Sequence, residues 1–195
     1  MGIEHVNRKG DRYYLQAMPA KDGKPRYSFT RKLKGKPVDR LPKGREIYES
    51  PEDAQVFLRK LQVSLILPLE KELVARAIRT RAGLEHFIVD AEEKSLVVYL
   101  SDTDPDEIER LISRLCDRST SRAREAAAAL ARRSTYGKMM RFELHDVENR
   151  LFCVERWCFL GGIDDWMLLD GPRALPELVD KYVEHLGKES FFELT

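Results

Sequence analysis

Residues 12–18 are rich in aromatic and apolar side chains, and residues 27–31 alternate polar and apolar with period two, as a half-buried strand does. Asp22 and Gly23 stand between the two runs as a two-residue turn, so residues 11–33 read as a β-hairpin. A loop at 34–37 and a third strand at 45–49 follow. Ser50, Pro51, Glu52 and Asp53 then supply an N-cap, a first-turn proline and two acids suited to the positive end of a helix. Ala54, Phe57, Leu58, Leu61 and Leu65 continue at helical spacing, which predicts a helix from 51 until Pro68 ends or kinks it. A second helical stretch is predicted over 69–82, with Leu73, Ala77 and a Glu72–Arg76 pair one turn apart.

Apolar runs at 86–89 and 95–100 flank a polar stretch and predict another hairpin. Asp104, Pro105 and Glu107 form a capping-box start, followed by the apolar stripe Ile108, Leu111, Ile112 and Leu115. Residues 119–121 break that helix, and an alanine-rich helix over 123–133 follows. Residues 139–145 and 150–159 read as antiparallel strands. Asn149 is the residue there best suited to a left-handed backbone, which predicts a three-residue loop, 147–149. Leu144 then faces Phe152, Phe142 faces Val154, and Arg141 faces Glu155. Gly161 and Gly162 mark a turn, 166–169 a short strand, and Asp170, Gly171 and Pro172 another turn. Leu175, Leu178, Val179, Tyr182, Val183 and Leu186 have the spacing of an amphipathic helix, with Gly187 as its closing glycine.

These elements predict an α+β protein. A small basic three-stranded β-sheet plus helix, residues 1–62, leads into a mixed part, 63–195, with antiparallel hairpins and amphipathic helices. The chain has 195 residues, enough to bury a core without disulfides or metals. Its longest mostly apolar run, 63–69, is far shorter than the roughly 20 residues a membrane helix needs. The first residues lack the basic and apolar segments of a signal peptide, and Val6 stands where a myristoylation motif wants Ser or Thr. Three cysteines without a CxxC spacing read as reduced thiols in a cytoplasmic protein.

Charge changes the picture more than composition does. Residues 1–60 carry 15 Lys and Arg against 8 Asp and Glu, and 61–109 carry 5 against 11. Residues 110–141 carry 9 against 2, and 142–195 carry 5 against 12. Two basic blocks thus alternate with two acidic ones beneath a net charge of +1. The blocks either neutralise one another in the fold or offer positive surfaces to a polyanion.

Candidate chemistry is sparse. Asp102, Asp104 and Asp106 begin like a calcium loop, but its sixth and twelfth positions hold Glu107 and Ser113 in place of Gly and Glu. Cys153 and Cys158 fall on opposite faces of one strand and cannot share a zinc. Glu155, Asp164 and Asp165 near Trp157 and Trp166 could line an acidic aromatic pocket for acid–base work, though acids beside a Gly-Gly turn are more often solvated loop residues. No phosphate loop, dinucleotide fingerprint or hydrolase motif is present, so no cofactor or metal is expected and the sequence leans away from an enzyme, a small hydrolase or metal enzyme being the third reading. Arg110, Arg114 and Arg118 repeat every four residues, and such like charges favour an anionic partner.

The order of Arg8, Lys9, Tyr13 and Tyr14, the turn at 22–25, Tyr27 and Phe29, then Val38 and Pro42, resembles the arm-type DNA-binding domain of phage and transposon integrases. In that family three twisted strands enter the major groove with a helix behind them. The resemblance implies that Arg12, Arg26, Arg31 and Lys32 contact bases and phosphates. It covers about residues 8–60. The integrase catalytic residues are absent, since His185 is followed by Lys188 and no later tyrosine. Residues 46–58 and 155–159 also resemble an uncharacterised family of bacterial proteins. Together the charge and this resemblance point to nucleic-acid binding, of duplex DNA through backbone-dominated contacts. A non-enzymatic accessory protein that binds a protein partner through an acidic Trp-containing C-terminal surface is the alternative.

Overall fold

The computed structural model describes residues 2–20, 24–104, 120–159 and 164–195, and within 105–119 only Glu107, Ile108, Arg110, Leu111 and Arg114. The protein is α+β, with antiparallel sheets. It divides into two compact units, residues 1–61 with 103–135 and residues 62–102 with 136–195. The first unit thus takes in a stretch far downstream of the basic N-terminal module.

In the first unit β1 (Glu4–Val6), β2 (Arg12–Pro19) and β3 (Pro25–Thr30) form an antiparallel sheet, and β4 (Lys36–Pro37) continues the β1 edge against β2. Leu15 pairs with Phe29, and Met18 with Arg26. The turn residues 22–23 lie outside those described. Tyr13, Leu15 and Phe29 point to one face and pack with Val56, Ile47 and Leu58. On the opposite face Gln16 is buried, its Oε1 accepting the Lys34 and Gly35 N–H groups at 2.8 Å each. Gly35 is required there, because a Cβ would stand 2.5 Å from the Ala17 carbonyl oxygen.

The predicted helix after Ser50 is not formed. Residues 51–53 are a turn, and β5 (Arg45–Glu49) pairs with β6 (Val56–Lys60) in a separate two-stranded sheet. The cause is remote in sequence. Arg8 donates to the Glu49 carboxylate at 3.1 Å and to the Ser50 and Pro51 carbonyls, and Asn7 Nδ2 donates to the Ala54 carbonyl at 2.8 Å. Those carbonyls would otherwise accept helical hydrogen bonds. Ala54, at φ 62°, closes the turn in a left-handed conformation.

In the second unit β7 (Phe87–Ala91), β8 (Ser95–Ser101), β9 (Tyr136–Asp146), β10 (Leu151–Phe159) and β11 (Asp164–Ala174) form one antiparallel meander in that order. Leu96, Val98, Met140, Phe142, Leu144, Phe152 and Val154 alternate onto one face and are buried under α1 (Pro68–Ala77) and α3 (Leu175–Tyr182). Pro68 begins α1 instead of ending a helix, since its missing N–H costs nothing in the first turn. Beyond Ala77 the helix widens into a π turn, Ile78–Ala82, so the 69–82 expectation holds. The predicted stripe is buried throughout, but the α-helix ends at Tyr182 and a 3-10 turn, Val183–His185, carries the chain on to Leu186, with Gly187 following at φ 76°. The alanine-rich helix is α2 (Thr120–Arg133), of the first unit. The capping box at 104–107, the break at 119 and the Gly161–Gly162 turn fall on or next to residues outside those described.

The β9–β10 register is the predicted one at Leu144–Phe152, Phe142–Val154 and Arg141–Glu155. The loop differs: Arg150, not Asn149, takes the left-handed conformation at φ 53°, and a shift after Leu151 restores the register. Asp146 explains the choice, because its carboxylate accepts the Glu148 and Asn149 N–H groups and the Asn149 amide. The expected turn at 170–172 is a correction too: β11 runs through it. Gly171, at φ 122°, permits this, because a Cβ would meet the Cys153 Cα and the Phe152 carbonyl at 2.7 Å.

Candidate nucleic-acid interface

The two units keep the charges segregated, though less sharply than the sequence blocks do. The first unit holds 22 Lys and Arg against 14 Asp and Glu, a net +8, and the second 12 against 19, a net −7. The basic blocks of the sequence are therefore mostly gathered in one compact unit and the acidic ones in the other.

Within the first unit the sequence-predicted residues divide by role. Arg12, at the start of β2, is exposed, and its Nη1 donates to Glu4 Oε1 at 3.0 Å. Arg31, just past β3, is tied to the core end of the sheet. Its Nη2 lies 2.9 Å from Asp11 Oδ2, and its Nε donates to the Tyr13 hydroxyl at 3.2 Å. That hydrogen bond, ahead of the charges of Tyr13 and Asp11, raises the Arg31 pKa. Arg26, across from Met18 on the other face of β3, and Lys32, in the bend that follows, are exposed and make no ion pair among the described residues. Arg110 and Arg114 are exposed, Arg110 lying 3.8 Å from Asp104, while Arg118 lies outside the described residues. Of the six candidates described, Arg26, Lys32 and Arg114 are exposed and make no ion pair among the described residues.

Since the helix predicted from 51 is not formed, no helix there packs behind the aromatic side of β3. That side packs on β6, where Val56 is buried and Phe57 is 46% exposed. This strand brings forward residues that sequence reasoning missed. Arg45 and Lys60 are cross-strand neighbours, both exposed. Between β3 and β6 lies an open cavity of about 610 Å³ whose walls include Tyr13, Tyr27, Phe29, Arg31, Phe57 and Leu58. A smaller one, of about 280 Å³, adjoins it at Tyr27 and Leu58 and is flanked by Arg26 and Arg45. The alternation of Val56 and Leu58 with Phe57 and Arg59 was the available signal for this strand.

Among the described residues the second unit does not bring all three acids to the tryptophans. Trp157 and Trp166 are register partners, with ring centroids 5.0 Å apart. However, Glu155 is held by Arg141, Asp164 pairs with Phe159, and Asp165 pairs with Cys158 on the other face. Lys138 Nζ lies 5.1 Å from the Trp157 ring, and the Arg141 guanidinium 4.7 Å from that of Trp166. Cys158 is buried and Cys153 half-buried, on opposite faces of β10 as their spacing predicts, and burial pushes the Cys153 thiol pKa up. Among the described residues no group of three or more His, Cys, Asp and Glu is placed to hold a metal ion, and no helix is long and apolar enough to cross a membrane.

Against models of protein families, curated proteins and solved structures, the chain finds no match.

Proposed function

We propose that the protein binds nucleic acid through its first unit, by contacts made mainly to the phosphate backbone. The observation that carries this reading is the separation of charge into a unit of net +8 and a unit of net −7. A uniformly mixed surface gives no such field, and a positive face attracts a polyanion over roughly a Debye length, about 8 Å at physiological salt. Arg26, Lys32, Arg45 and Lys60 are exposed cations of that unit. The reading suits a cytoplasmic protein with reduced thiols.

Binding of the full chain to duplex DNA, single-stranded DNA and RNA, at about 50 and 200 mM salt, tests it. Affinity that is measurable at the lower salt and falls steeply at the higher one is the expected result. No binding to any of the three at about 50 mM overturns it. The reading that then takes its place is a protein partner on the second unit, favoured by Phe159 and Leu168, which are 67% and 59% exposed beside the tryptophan pair.

A further inference from the structure

The walls of the β3–β6 groove have a composition of their own. Tyr27 and Phe57 line it while 39% and 46% exposed. Large rings left half-open on a concave wall lose apolar burial that a planar ligand would restore. Among the described residues no acidic side chain lines either cavity, whereas Arg31, Arg26 and Arg45 do. Lys60 adds a fourth cation opposite Arg45. Among the described residues Arg26, Arg45 and Lys60 make no ion pair, so they are available to an incoming anion. The larger cavity falls within the roughly 300–1,000 Å³ typical of ligand sites.

We propose that this groove binds single-stranded nucleic acid, with bases stacking on Tyr27 and Phe57 and phosphates meeting Arg26, Arg45 and Lys60. The inference rests on the nucleic-acid reading above and narrows it. A duplex keeps its bases stacked on one another and offers a protein mainly phosphates and base edges, so the two rings gain nothing from it. A single strand exposes the faces of its bases. Stacking on aromatic side chains then adds affinity with little sequence preference, because every base has a π face. Arg31 does not carry the phosphate role, because Asp11 and Tyr13 already engage its guanidinium.

Fluorescence anisotropy with 15-nucleotide oligo(dT), oligo(rU) and a 15-base-pair duplex decides the matter, using the full chain at about 50 and 200 mM salt. The expected result is that at least one single strand binds about tenfold or more tighter than the duplex. The double variant Tyr27→Ala, Phe57→Ala should weaken single-strand binding by about tenfold or more at both salts, with duplex binding unchanged. The pair Tyr27→Phe, Phe57→Tyr should retain binding. Arg26→Ala with Arg45→Ala should flatten the single-strand salt dependence by about 1.4, or 0.7 for each lost contact. Thermal melts establish that each variant is folded. Equal affinity for duplex and single strand, or a folded ring-pair variant that binds single strands like the wild type, overturns the groove while leaving the broader reading intact. Absence of binding to all three ligands at the lower salt overturns both.

Discussion

Arg150 grips Glu70 with two prongs across 80 residues of sequence, its Nε donating to Oε1 at 3.0 Å and its Nη2 to Oε2. The same carboxylate accepts the Leu67 N–H at 2.8 Å, and Arg150 Nη1 donates to the Leu65 carbonyl at 3.2 Å. The left-handed residue of the β9–β10 loop therefore fixes the first turn of α1. Planar bidentate pairs of this kind are among the stronger hydrogen bonds a protein makes. Glu70→Ala should cost about 1.5–3 kcal/mol in a denaturant melt. Combined with Arg150→Ala, it should show a coupling of about 0.5–3 kcal/mol. Strictly additive losses would mean that the pair contributes nothing.

Asp170 gathers the end of β11 onto α3. Its carboxylate accepts from Lys181 Nζ at 2.8 Å, the Tyr182 hydroxyl at 3.1 Å, Arg173 Nε at 3.1 Å and the Gly171 N–H at 2.8 Å. The bond from the Lys181 ammonium, with those from Gly171, Arg173 and Tyr182 behind it, holds this carboxyl far below the usual range. A depressed native pKa stabilises the fold fully above the ordinary value of about 3.9, and the contribution is lost as pH falls from there through the native value. Asp170→Asn should therefore lower Tm at pH 7, and the gap to wild type should shrink below about pH 3.9. A gap that stays constant with pH would contradict this linkage.

Phe29 and Phe57 lie on β3 and β6 and should respond unequally to truncation. Phe29 is 8% exposed in the core of the first unit, so Phe29→Ala should cost about 3 kcal/mol or more. Phe57→Ala should stay within about 0.5–1 kcal/mol, since nearly half of that ring already meets solvent. Chemical denaturation of the two variants checks the ranking, which a helix at 51–67 with Phe57 facing the core would reverse.

Arg26 and Lys32 make no ion pair among the described residues, so removing both tests the functional reading without disturbing the fold. Arg26→Ala with Lys32→Ala should leave the melting curve almost unchanged, within about 0.5 kcal/mol per site. On duplex DNA it should flatten the slope of log affinity against log salt by about 0.9 per lost contact, or by about two units. An unchanged slope with wild-type affinity would remove these two residues from the interface.

Much of the second unit was legible in the sequence because its elements are decided locally. The stripe from Leu175 to Leu186 repeats at helical spacing, and α3 together with the 3-10 turn Val183–His185 that follows it buries all of it. The β9–β10 register follows from which side chains must share a face, and a slip by one residue would put Phe142 and Phe152 into water. The loop between them was misjudged by one residue, since the Asp146 carboxylate that organises it admits more than one turn.

The stretch from Ser50 to Pro68 was not legible, for a physical reason. Ser50, Pro51 and the spacing of Phe57, Leu58, Leu61 and Leu65 satisfy a helix, while Val56 and Leu58 alternating with Phe57 and Arg59 satisfy a strand just as well. Arg8 and Asn7 break the tie, more than 40 residues away, by binding the carbonyls of the turn. Pro68 is similarly two-sided, able to stop one helix or start another. The sequence alone determined the α+β class, the amphipathic α3, the paired strands and the blocks of charge. Tertiary contacts alone decided that 51–60 is a hairpin, that a groove opens between β3 and β6, and that Arg12 and Arg31 pair with acids while, among the described residues, Arg26 and Lys32 do not. Those outcomes depend on groups brought together from distant parts of the chain, and such meetings leave no mark in the local pattern of residues.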